Sequence, residues 1–147
     1  LLLRQDLGSA AEALERAIEL APDAVDARYH LSLVHVACGD RSAAMEELTR
    51  IVEIDPDDRR ARIDLAIHAL ASGELTRSGE ELDRVLAVDA TNARARFYRA
   101  VVLDLAGRSA EAEEMLLDLA AAEQDDKYAD RARRYLTDRM RRREPEV

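Results

Sequence analysis

Between residues 25 and 126, apolar and small side chains recur at i, i+3 and i+4, and each run is closed by a helix breaker at a regular place. Gly39, Gly73 and Gly107 stand 34 residues apart, as do the dipeptides Ala27-Arg28, Ala61-Arg62 and Ala95-Arg96. Nothing between these landmarks alternates as a strand does. The pattern predicts 34-residue units of two helices, each of about four turns, stacked on one another. A left-handed glycine ends the first helix of each pair. Pro22 and Pro56 stop the second helices, and Asp23, Asp57 or Asp58, and Thr91 are the expected caps of the helices that follow.

With that phase set, the units resemble the tetratricopeptide repeat. Residues 25–58 supply its small positions as Ser32 and Ala44, its glycine as Gly39, its large apolar positions as Leu48 and Ile51, and its proline as Pro56. Residues 59–92 supply Ala66, Ser78, Gly73, Leu82 and Val85, with Ala90 in place of proline. Residues 93–126 supply Ala100, Ala112, Gly107, Leu116 and Leu119, with Gln124 at the proline position. Residues 1–24 fit a partial repeat through Ala10, Leu14, Ala17 and Pro22. Residues 127–143 form an amphipathic capping helix carrying Tyr128, Ala132, Tyr135, Leu136 and Met140, and 144–147 a tail. The expectation is one all-α domain over 1–147: a right-handed helical-hairpin solenoid of about 3.5 repeats plus the cap.

Two departures from the family bear on stability. Arg28, Arg62 and Arg96 replace its large aromatic, so their stems are expected to cover the seam between repeats while the guanidinium stays in water. Gly79 falls inside a second helix, at a cost of about 1 kcal/mol against alanine.

Composition narrows the function. Hydrophobic residues make up 48% and charged residues 36%, which fits exposed amphipathic helices and excludes wholesale disorder. A net charge of −9 disfavours general binding to nucleic acid or anionic membrane, because phosphates select basic surfaces. The chain has no apolar run long enough for a membrane span, and Leu1-Leu2-Leu3 is too short for a signal peptide. One cysteine, Cys38, precludes an intrachain disulfide and reads as a small core residue. Arginine outnumbers lysine 21 to one, a bias of GC-rich coding sequences that points to a bacterial cytoplasm.

Little in the chain suggests chemistry. His30 and His35 lie five apart on different helix faces and do not make a metal site. The pairs Glu46-Glu47, Glu80-Glu81 and Glu113-Glu114 solvate helix surfaces, and neither a nucleophile–base set nor a phosphate loop is present. No enzyme activity, cofactor, metal or catalytic residue is expected. The excess is instead apolar: the first helices carry Leu31, Leu65 and Leu103 for the core and a second stripe besides. The resemblance implies a concave groove on these helices that holds a partner peptide or helix. Matching positions are Asp26, Tyr29, His30 and Leu33, then Arg60, Ile63, Asp64 and Ile67, then Arg94, Phe97, Tyr98 and Val101. Arg60 and Arg94 would favour acidic groups, with Asp26 and Asp64 setting register. Family members that clamp a chaperone's terminal carboxylate use lysine, asparagine and arginine. The corresponding Tyr29, Leu33, Asp64, Arg94 and Tyr98 offer only Arg94.

The expected partner is therefore a protein or peptide. Three alternatives to an open groove follow from the same residues. The stripe can pack on the chain's own C-terminal helix. The face at Ala10, Leu14 and Ile18, with only Leu1 to Leu7 to cover it, can be covered by upstream residues of a parent protein or can pair with another copy to give a homo-oligomer. The C-terminal arginines, Arg139 and Arg141 to Arg143, can contact RNA or an acidic surface.

Overall fold

The computed structural model describes residues 2–122 and 126–143, with side chains from Asp6 to Ala122 and from Asp126 to Arg142. Leu1, Gln124 and the tail 144–147 lie outside the described residues. The described residues form eight helices packed as sequential hairpins: α1 Leu2–Leu20, α2 Val25–Ala37, α3 Arg41–Ile54, α4 Arg59–Ala71, α5 Leu75–Val88, α6 Ala93–Leu105, α7 Ser109–Ala120 and α8 Lys127–Arg143. They fall into two compact units, residues 1–68 and 69–147, described in turn.

The turns follow the sequence closely. Gly39, Gly73 and Gly107 have φ of 81°, 80° and 83°, a region where a Cβ is strained. After each glycine the next N–H reaches back five residues: Asp40 to His35 O, Glu74 to Ala69 O, and Arg108 to Leu103 O, each 2.9 Å. This pattern satisfies carbonyls that a helix end otherwise leaves open. Cys38, expected in the core, is exposed, because it is the C-cap residue of α2 and sits at the turn. The caps also differ in part. Asp58 accepts from Ala61 N (2.9 Å) as expected, but Asn92 rather than Thr91 caps α6 through Ala95 N (3.0 Å). Ala24, not Asp23, is the N-cap of α2 and makes no side-chain bond. In both cases the cap falls one residue later, since the chain enters the helix from the N-cap itself.

In residues 1–68, Leu48, Ile51, Ala61 and Leu65 form a buried cluster against Val25, Tyr29, Met45 and Val52. In residues 69–147, Phe97, Ala100, Leu116, Leu119, Tyr128 and Ala132 form another. The small repeat positions Ser32, Ala44, Ala66, Ser78, Ala100 and Ala112 are all at most 1% exposed. Only a side chain of that size lets neighbouring helix backbones approach so closely, and the buried Ser32 hydroxyl is satisfied by donating to Tyr29 O (2.6 Å).

The repeat arginines are less wet than expected. Arg28 Nε donates to Pro22 O (3.0 Å) and Nη1 to Glu47 (2.8 Å), leaving its side chain 13% exposed. Arg62 Nε repeats the first bond to Pro56 O (2.6 Å), and Arg96 Nη2 reaches Asp118 (3.3 Å). A planar fork with several donors finds partners at a seam that an aromatic ring would fill by contact alone.

Candidate functional site

Helical spacing places Asp26, Tyr29, Leu33 and Val36 along one side of α2, and Arg60, Ile63, Asp64 and Ile67 along one side of α4. Within residues 1–68 these sides meet through polar contacts. The Tyr29 hydroxyl donates to Asp64 Oδ2 (2.8 Å), and Arg60 Nη2 donates to Asp26 (3.1 Å) and Asp58 (3.2 Å). The Arg60 guanidinium also lies 4.9 Å from the Tyr29 ring centroid, in range of a cation–π contact. The hydrogen bonds to Asp26 and then Asp58 raise the Arg60 pKa further above its ordinary value.

The arginine that the sequence marked as a receptor for acidic groups is thus held by the protein's own carboxylates. Asp58, buried at 8% exposure, was legible only as a cap, although it anchors Arg60 as well. Around this cluster Leu33 and Val36 are exposed, and His30 is exposed with Nδ1–H donating to Asp26 O (2.7 Å). Ile67 is half-buried and Ile63 is buried, so Ile63 contributes packing rather than accessible surface.

Next to the cluster, α1 and α2 present an open apolar surface of about 540 Å³, lined by Leu7, Ala10, Ala13, Leu14, His30, Leu33 and Val34. The sequence singled out Ala10 and Leu14. It did not single out Ala13, which is exposed on the same surface.

The remaining site residues lie in the second unit, where α8 changes their surroundings. Phe97 is 8% exposed and stands 6.0 Å from the Tyr128 ring and 6.3 Å, edge to face, from Tyr135. Tyr98 and Val101 are half-buried against the same cluster, and the Tyr98 hydroxyl accepts from Arg131 Nη1 (3.2 Å). Arg94 is half-buried, close enough to Tyr128 for its charge to act on the phenol; burial dominates there and raises the Tyr128 pKa. On α6, therefore, the apolar stripe packs on the C-terminal helix of its own chain.

Asp104 fixes that helix. It accepts from Ser109 Oγ (2.9 Å) and Tyr135 Oη (3.0 Å), and Arg139 Nη2 lies 3.3 Å away. Burial, followed by the Asp104 bond, raises the Tyr135 pKa. Arg133 closes the end of α7 by donating to Ala120 O and Ala122 O, both 3.1 Å. Arg133 and Arg139 are thereby structural. Among the described residues no helix is long and apolar enough to cross a membrane.

Comparison with known proteins agrees with this architecture. Residues 1–65 and 39–96 match the family described as Tetratricopeptide repeat. The sequence gives no significant match to a curated protein. Among solved structures, YrrB, described as a TPR protein with an unusual peptide-binding site, superposes with TM-score 0.72 at 22% identity over 90% of this chain and 69% of that one. MamA superposes with TM-score 0.69 at 22% identity over 78% and 67%. A Thermobaculum terrenum O-GlcNAc transferase mutant does so with TM-score 0.64 at 28% identity over 77% and 22%. The chain thus spans about two thirds of the first two structures and about a fifth of the transferase. The fold implies a protein–protein interaction module, and the chain belongs to the tetratricopeptide repeat family.

Proposed function

We propose that the chain captures a segment of a partner protein on the face shared by α2 and α4. The observation that carries this reading is the cluster of the exposed Asp26 and Arg60 with the half-buried Tyr29 and Asp64, pre-ordered by its own hydrogen bonds beside the exposed Leu33 and Val36. Rigid aromatic and charged groups next to apolar surface are the usual anchors of an interface, because they lose little freedom on binding. With Arg60 already paired, the face offers carboxylate oxygens rather than a free cation. A fitting segment lays an apolar side chain on Leu33 and presents a basic or N–H donor to Asp26 or Asp64.

A displayed random-peptide library selected on the 147-residue chain tests this. Enriched peptides should carry an apolar residue next to a basic one and weaken about tenfold or more on Leu33→Glu or Asp26→Ala. Peptides indifferent to both substitutions, yet lost on removal of Arg141 to Arg143, would place binding on the C-terminal helix and overturn the proposal.

A further inference from the structure

Arg60 has two carboxylate partners of unequal standing. Its Nη2 donates to Asp26 Oδ1 at 3.1 Å and to Asp58 Oδ2 at 3.2 Å, yet the Asp26 side chain is 80% exposed and that of Asp58 6%. An ion pair open to water contributes little, because each charge is well solvated apart and salt screens the attraction. A buried carboxylate cannot leave its cation so easily, since it is then left with neither solvent nor counter-charge. Asp58 is also fixed from its other oxygen, which accepts the Ala61 N–H (2.9 Å) at the start of α4. The Tyr29 ring, 4.9 Å from the guanidinium, holds Arg60 from a third direction.

Loss of the Asp26 bond therefore leaves Arg60 in place. Among the described residues, Asp26 Oδ2 accepts no hydrogen bond, and Asp26 shares a row of α2 with Tyr29 and the exposed Leu33. Asp64 is less available, being half-buried with Oδ2 already accepting the Tyr29 hydroxyl (2.8 Å).

Taking the α2–α4 face as the partner-binding surface proposed above, we infer that Asp26 is its exchangeable carboxylate. An arginine of the partner segment takes both Asp26 oxygens as a planar fork and displaces the single bond from Arg60, which stays seated between Asp58 and the Tyr29 ring. A lysine brings one ammonium and no fork, so it replaces that bond less well. Arg60 thus competes with the partner for Asp26, and Asp58 is the positioning residue that limits the competition.

The probe is the most enriched peptide of the displayed library, synthesised with fluorescein and read by polarisation on the full chain. Its basic residue should be arginine, and lysine in its place should weaken binding about threefold or more. Arg60→Gln should tighten binding about two- to fivefold by removing the competitor. Asp58→Asn keeps an oxygen for the Ala61 N–H but throws Arg60 onto Asp26, so it should weaken binding about two- to fivefold. In the Arg60→Gln background the same change should lose most of its effect, because Asp58 acts through Arg60. Binding insensitive to Asp26→Ala would remove the α2–α4 face itself and the exchange with it. Binding that needs Asp26 keeps the face but overturns the exchange if Arg60→Gln brings no gain, if lysine serves as well as arginine, or if Asp58→Asn costs the same in both backgrounds. Should Asp58→Asn fail to fold, the Arg60→Gln and lysine results decide alone.

Discussion

Tyr29 and Asp64, 35 residues apart, are joined by a hydrogen bond of 2.8 Å from phenol to carboxylate. The bond links the first helices of two successive repeats on the face proposed to meet a partner. Tyr29→Phe removes the donor and leaves the carboxylate in place at a partly solvated site, for a cost of about 1 kcal/mol. Chemical denaturation of Tyr29→Phe, Asp64→Ala and the double variant checks this, and the two single losses should add to more than the double loss. Additive losses would mean that the bond contributes nothing measurable.

Phe97 separates packing from binding. Its ring is buried among Tyr128, Ala132 and Leu116, so Phe97→Ala should destabilise by about 3–5 kcal/mol. Leu33→Ala, at a side chain 46% exposed, should stay within about 0.5 kcal/mol. Urea unfolding of both variants gives the comparison, and equal midpoints would contradict the packing described for α6 and α8.

Gly79 sits inside α5 with an ordinary φ, and a Cβ there would meet Arg99 and Val102 at 3.6–3.7 Å, which is normal contact. Nothing has to move to admit a methyl group. Gly79→Ala should therefore raise stability by up to about 1 kcal/mol, visible as a higher melting temperature. A lower melting temperature would show that the seam with α6 is tighter than these distances.

The pH dependence turns on His68. Burial lowers its pKa, outweighing the opposing pull of Asp64, and Arg41 lowers it further. The unfolded chain therefore binds the proton more readily than the folded one does. Stability from this site is complete above the ordinary imidazole value of about 6.5 and is lost as pH falls through the lowered folded value. Melting curves across that window should show a decline that His68→Gln reduces. An unchanged decline would assign it to other groups.

At Arg28, Nε and Nη1 serve two different partners, Pro22 O and Glu47. Lysine keeps the charge but cannot span both, so Arg28→Lys should cost about 1 kcal/mol in a denaturation experiment. A variant as stable as the wild type would mean that the carbonyl bond carries no weight.

The helices and turns were legible because their causes are local and repeated. A left-handed glycine and a buried alanine or serine leave the same mark at every 34-residue step. The face of α6 was harder to read. Phe97 and Tyr29 occupy equivalent positions in their repeats, yet one is core and the other half-exposed, and the difference comes from α8, far away in the sequence. Arg60 shows the same limit. Its charge is plain from the sequence, but its pairing with Asp26 depends on how two helices 34 residues apart come together. Cys38 was misjudged because a small apolar residue at a helix end faces the turn rather than the core.

The arginine bonds have a bearing on how such a chain changes by recombination. Arg28 reaches six residues back to Pro22, and Arg62 reaches six back to Pro56. Excising residues 25–58 would remove Arg28 and Glu47 together and bring Pro22 to the same six-residue distance before Arg62. A duplication of that segment would likewise recreate the spacing. Each of these backbone bonds is addressed by a local offset in the chain, so a whole repeat can be copied or cut with the bond kept, although cutting 25–58 takes Asp26 and Asp58 from Arg60 and Tyr29 from Asp64.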